Sequence, residues 1–266
     1  MDFAVILIVS ALVAALTLVS GFGLGTLLMP AFAFFFPIEV AIAATGVVHF
    51  TNNLFKLALV GRFARRAVVL RFGIPAILAA LAGAALMTRL AESRPIHEYT
   101  LGALTAQITW LKLAIAALLA ALAALEAWPR YHNLSFPASA LPVGGLLSGF
   151  VGGISGMQGA LRAPFLLRAG LDRDQYVGTA NVISTIVDLA RLAVYAAGFT
   201  WLAQKRDYTV LSEPRTLWLV AAACTAGILG SLVGARLLKK ITIRAIRTIV
   251  VALLFLAAAA LASGLL

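Results

Sequence analysis

In the apolar run "VVHFTNNLFKLALVG", residues 47 to 61, an imidazole, two amides and an ammonium stand at His49, Asn52, Asn53 and Lys56. A second apolar run, "GTANVISTIVDLARLAVY" from Gly178, carries Asn181, Thr185, Asp188 and Arg191. Such groups can hold a proton, neutralise one another or bind an anion. Hydrolytic and metal chemistry are poorly served: there is no HExxH, GxSxG or P-loop motif, and the three histidines, His49, His97 and His132, are scattered. The chain is therefore read as a non-enzyme, with no catalytic residues, no metal and no cofactor.

On an ideal helix Thr45, His49, Asn52, Asn53 and Lys56 share an arc of about 100°, and Asn181, Ser184, Thr185, Asp188 and Arg191 share one of about 120°. Two helices would thus each present one polar face. The plain alternative is packing and backbone bonds for single Ser, Thr or Asn residues, and snorkelling for Lys56 and Arg191. His49 and Asp188 lie deeper, where an ionisable group costs at least ~2.5 kcal/mol and normally faces a cavity or partner. These residues are read as a coupling or pathway face formed by Thr45, His49, Lys56, Thr185, Asp188 and Arg191. Asp188 is neutralised by Arg191 or Lys56, and His49, which titrates near neutral pH, is the sharper proton-carrier candidate.

Glycine-rich stretches precede both polar runs: "SGFGLGTLLMP" with Gly21, Gly23 and Gly25 before Pro30, and "SGFVGGISGMQGALRAP" with Gly156 and Gly159 before Pro164. An interrupted helix at membrane depth leaves N–H groups that are tolerable only inside protein or facing a polar cavity, and helix N-termini there turn positive ends toward an anion. Gln158 adds amide donors beside the second break and Arg162 a guanidinium. The substrate-binding set expected is Gly23, Gly25, Asn52, Asn53, Gly156, Gln158, Gly159, Arg162 and Asn181. Lys112, midway in a long apolar segment, either pairs with a carboxylate or lines the same path.

The elements that must position these groups are membrane helices. Of 266 residues 62% are hydrophobic and 12% charged, against about 25% charged in an ordinary soluble domain. Phe3 to Ile38 contains no Asp, Glu, Lys, Arg or His, and neither do Phe72 to Thr88, Asn133 to Leu161, Thr216 to Ala235 and Thr248 to Leu266. The net charge of +11 is gathered at segment ends, at Arg62, Arg65, Arg66 and Arg71 and at Arg236, Lys239, Lys240, Arg244 and Arg247, as cytoplasmic loops require. Nucleic-acid binding is set aside on that ground. Cys224 has no partner for an internal disulfide, and the N-terminal run, opening on an acid and too long for a signal peptide, is expected to stay in the mature protein.

The segments are read as about 3 to 20, 23 to 37, 39 to 60, 72 to 90, 99 to 127, 138 to 154, 157 to 170, 174 to 199, 216 to 236 and 247 to 265. The first uncharged window of 36 residues would make a helix of about 54 Å, too long for a core of about 30 Å, so it must break. "GTLLMPAF" from Gly25 resembles "GALRAPFL" from Gly159, and "LAALAGAAL" from Leu78 resembles "LGSLVGARL" from Leu229. This order suggests two repeats, 1–130 and 135–266, in one all-α membrane domain. Each repeat has a Gly/Pro-broken helix or hairpin followed by three spanning helices. If both broken segments are hairpins, the two basic clusters face the same side, which favours inverted repeats.

Residues 148 to 195, "SGFVGGISGMQGALRAPFLLRAGLDRDQYVGTANVISTIVDLARLAVY", resemble the second-half signature of the sulfite exporter TauE/SafE family of membrane permeases, and "SGFGLGTLLMPAFAFFFPIEVAIAATGVVHFTNN" is similar to its glycine–proline opening and polar helix. Where many members carry a Gly-Gly-Gly run, this chain has Gly23-Leu24-Gly25-Thr26. The resemblance implies secondary transport of a small sulfur-containing anion, such as sulfite, sulfoacetate or a related organosulfonate, across the bacterial inner membrane, coupled to protons or to the membrane potential. An anion channel and a non-transporting scaffold are the alternatives. The partners expected are the anion and membrane lipid, with a homodimer as an open assembly state.

Overall fold

The computed structural model describes residues 2–20, 24–102, 104–203, 213–237 and 243–266. These hold ten α-helices: α1 (Asp2–Ser20), α2 (Leu24–Ala33), α3 (Ile38–Val60), α4 (Arg66–Ala91), α5 (Trp110–Ala127), α6 (Leu141–Ser155), α7 (Gln158–Leu166), α8 (Arg173–Ala203), α9 (Pro214–Leu237) and α10 (Ile243–Ala262). Five helical segments, α4, α5, α6 together with the 3-10 turn that leads into it from Ala138, α8 and α9, are long and apolar enough to cross a membrane by length and composition. The chain is a multi-pass, all-α membrane protein, with one antiparallel hairpin of β1 (His97–Leu101) and β2 (Leu104–Ile108) among the described residues.

That hairpin corrects the segment expected over 99 to 127. Its second strand alternates apolar and polar, as "LTAQI", and the chain turns at Gly102, whose φ of 61° is open to glycine without strain. Lys112 then lies in the first turn of α5, not midway along a span. Its Nζ donates to the carbonyls of Gln107 (2.9 Å) and Gly264 (3.2 Å), tying the hairpin to the C-terminal end of α10. Tyr99 donates to the Ser263 carbonyl in the same joint. The ammonium caps carbonyls and stands within electrostatic reach of the Glu39 carboxylate, so of the two expected roles the carboxylate partner is the one the structure favours.

The helices pack in pairs. α3 and α8 run antiparallel, with His49 beside Asp188, Asn53 beside Asn181 and the Val60 carbonyl beside Gly178. α5 and α10 are antiparallel through the joint just described. α6 instead lies parallel to α4 along a seam of glycines: a Cβ at Gly145, Gly149 or Gly153 would stand 2.2 Å from the carbonyl oxygen of Phe72, Ala76 or Ala80. α1 packs on α9 in a similar way, with a Cβ at Gly230 falling 2.2 Å from the Ala11 carbonyl. Small residues at four-residue spacing allow such backbone approach, which is how helices associate where lipid supplies no hydrophobic drive.

A cavity of about 260 Å³ lined by Pro37, Glu39, Ala91 and Lys112 joins the start of α3, the end of α4 and the start of α5 at one end of the bundle. The start of α10 therefore lies at the other end, together with Arg62, Arg65 and Arg66. Lys239 and Lys240 lie outside the described residues.

Candidate functional site

The second glycine-rich stretch interrupts a helix, and the centre of the first, residues 21–23, lies outside the described residues. α1 ends at Ser20 and α2 begins at Leu24, with Gly23 outside the described residues and Gly25 in the first turn of α2. In the second half α6 ends at Gly156, which takes φ 82° and leaves no room for a side chain: a Cβ there would stand 2.6 Å from Arg191 Nη1. Past this turn α7 folds back along α6, so that Ser148 Oγ donates to the Gln158 carbonyl (2.9 Å) and the Phe165 ring covers Gly144. The Phe136 N–H closes the open end on the Pro164 carbonyl at 3.0 Å. α6 and α7 are thus a helical hairpin with its tip inside the protein, and the uncapped first turn of α7, including the buried Gly159, starts at that tip.

Orphan carbonyls of the hairpin are met by phenols. Pro164 has no N–H to give to the Ala160 carbonyl, and Tyr131 donates its hydroxyl there instead, at 2.7 Å. Burial, and next the charge of Glu126, push the Tyr131 phenol up to about 12, so it keeps its proton at any physiological pH. Tyr195 donates to the Gly153 carbonyl near the end of α6. Tyr131→Phe should lower stability in detergent by about 1 kcal/mol, the net worth of one such bond. Urea or thermal unfolding reads this directly, and an unchanged midpoint would mean that the carbonyl finds another donor.

The tip of the hairpin meets the α3–α8 pair at Asp188, which is completely buried. Its Oδ2 accepts from His49 Nδ1 (2.6 Å) and Asn53 Nδ2 (2.8 Å). Its Oδ1 accepts from Arg191 Nε (3.0 Å) and Gln158 Nε2 (3.3 Å), with Arg191 Nη2 at 2.9 Å. Since the carboxylate only accepts, His49 carries its hydrogen on Nδ1 and leaves Nε2 open. The 3.1 Å approach of Asn53 to the same nitrogen is then a contact and not a bond.

Arg191 is also fully buried, between Gly46 of α3 and Gly156, and its Nη1 has no hydrogen-bond partner. Thr45 Oγ1, on the adjoining residue, has none either. Buried polar groups are nearly always paired, so these orphans are notable. Arg162 is different. It is partly exposed and its Nη1 donates to Ser184 Oγ (2.6 Å) and Gln158 Oε1 (3.3 Å), with no carboxylate in ion-pair range among the described residues. Ser184 is one turn from Asp188 toward the basic end, so Arg162 stands below the buried cluster on that side.

Eight predicted residues thus converge through this network: His49, Asn53, Gly156, Gln158, Arg162, Asn181, Asp188 and Arg191. Asn181 joins by donating to Asn53 Oδ1 at 3.3 Å. Others do not converge. Asn52 turns to α9 and accepts from Ser231 (2.8 Å), and Thr185 bonds back to the Asn181 carbonyl. Lys56 has no ion-pair or hydrogen-bond partner among the described residues, so the neutralising partner of Asp188 is Arg191 and not Lys56. Ser148, Ser231 and Tyr195 escaped the sequence reading, although Tyr195 sits four residues after Arg191 on one helix face; Tyr131, which by its place near a segment end reads as part of an aromatic belt, turns inward to the Ala160 carbonyl.

A family model described as sulfite exporter TauE/SafE matches residues 6–261. No curated protein and no solved structure matches the chain.

Proposed function

The chain belongs to the sulfite exporter TauE/SafE family, a family of membrane transporters, and on that premise we propose that it is a secondary transporter of a small sulfur oxyanion or organosulfonate whose site is the cluster around Asp188. The observation that carries this reading is a shortage of negative charge. Two guanidinium groups and a helix N-terminus meet at a buried centre that holds one carboxylate, and Arg162, the accessible guanidinium, has no counter-ion there. An anion arriving at Arg162 supplies the missing charge and the acceptors that the α7 first turn needs.

The pairing of α1 with α9 and of α4 with α6, and the antiparallel contacts of α3 with α8 and α5 with α10, support two inverted repeats over 1–130 and 135–266. With both arginine groups at one end, that end is placed in the cytoplasm of a bacterial cell, facing inward from the inner membrane. Coupling runs through His49, whose open Nε2 can take a proton beside Asp188.

Purified protein in proteoliposomes tests the assignment with radiolabelled sulfite and sulfoacetate. Accumulation against the anion's own gradient is expected, and movement only down the gradient would make the protein a channel. Arg162→Ala should raise KM about 10- to 100-fold, as loss of a charge-assisted contact to the anion requires. An unchanged KM removes Arg162 from the site.

A further inference from the structure

The buried centre can be counted charge by charge. Asp188 and Arg191 cancel, since they touch through two guanidinium nitrogens and are both sealed from solvent. Arg162 adds one positive charge that no acid balances. His49 adds none while Nε2 is open and one more when Nε2 holds a proton. The other titratable groups facing the cluster are Tyr195 and Tyr176 of α8, Cys224 of α9, whose Sγ lies 3.6 Å from Thr51 Oγ1, and Lys56 of α3. The phenols and the thiol carry no charge near neutrality. Lys56 is two turns, about 10 Å, along α3 from His49 and partly exposed, so it stands outside the count.

A centre that changes access across a membrane is penalised for any net charge it carries through the low-dielectric core. We infer that the valence of the anion decides whether a proton travels with it: a monoanion on Arg162 balances the centre as it stands, whereas a dianion balances it only when one proton sits on His49 Nε2. The proton comes from the side on which the anion binds and leaves from the same nitrogen on the other side, with Asp188 remaining ionised throughout. The four hydrogen bonds it accepts favour that state. This inference rests on the anion-transport reading above, and it extends that reading from a class of substrate to a rule of stoichiometry.

The experiment uses two sulfonates of fixed valence near neutral pH, methanesulfonate as the monoanion and sulfoacetate as the dianion, with the full chain in proteoliposomes loaded with a pH-sensitive dye. About one proton is expected per sulfoacetate moved and about none per methanesulfonate. Arg162→Gln lowers the count by one charge, so methanesulfonate moved by that variant should now bring about one proton with it. His49→Gln should lower the sulfoacetate-to-methanesulfonate flux ratio about tenfold, because it removes the charge needed only by the dianion. Equal proton ratios for the two anions, or a methanesulfonate ratio that Arg162→Gln does not raise, would overturn the rule while leaving transport standing. Absence of flux for both anions in the unaltered protein would remove the transport reading and the rule together.

Discussion

Asp188→Asn should cost the folded protein about 3–5 kcal/mol, because it strands Arg191 as an uncompensated charge in a site with no solvent access. The amide that replaces the carboxylate also turns a donor toward His49 Nδ1 or Arg191, where only an acceptor fits. Unfolding in detergent should show the loss as a large drop in midpoint, and transport should be abolished. The double variant Asp188→Asn/Arg191→Gln separates charge from shape. Removing the stranded guanidinium should recover a substantial part of the stability, so the two changes together cost less than their sum. Additive losses would mean that the pair is held by its packing and not by mutual neutralisation.

Gly149→Ala should be worse tolerated than most substitutions in the protein, although it adds one methyl group. The new Cβ would fall 2.2 Å from the Ala76 carbonyl and 2.6 Å from its Cα, and both atoms are backbone that cannot rotate away. The neighbouring contacts at Gly145 and Gly153 hold the seam on either side, so α6 must separate from α4 along its length. A loss above about 3 kcal/mol is expected, at the upper end of overpacking. Gly227→Ala is the matched control. Its Cβ would meet only Val48 Cγ1, at 3.6 Å, and the gain in helix propensity should leave stability unchanged or raised by about 1 kcal/mol. Similar behaviour of the two variants in size-exclusion profile and unfolding midpoint would refute the seam.

The polar faces could be read from the sequence because ionisable residues in apolar runs are costly and must find company. His49, Asp188 and Arg191 found one another. An arc on an isolated helix says which residues share a face, yet not which neighbour each one meets. Asn52 and Asn53 fall in the same arc and part company because α9 lies on one flank and α8 on the other. The hairpin at 97–108 was hidden for a different reason. A hydropathy reading over 99 to 127 merges eight strand residues into a long helix that follows, and the local signal of alternation around Gly102 is outweighed. The fold-back of α7 depends on Gly156 taking a positive φ, a conformation that glycine permits without announcing.

The glycine seams also fix an order of events at the ribosome. α4 is complete at residue 91, but the helix that covers its carbonyl ridge ends at residue 155, which at roughly 5–20 residues per second is several seconds of exposure to lipid or to the insertion machinery. For α1 the wait is longer. Its partner α9 ends at residue 237, so α1 cannot seat until α9 has been translated, and of the large helix pairs described only α5–α10, completed at residue 262, closes later.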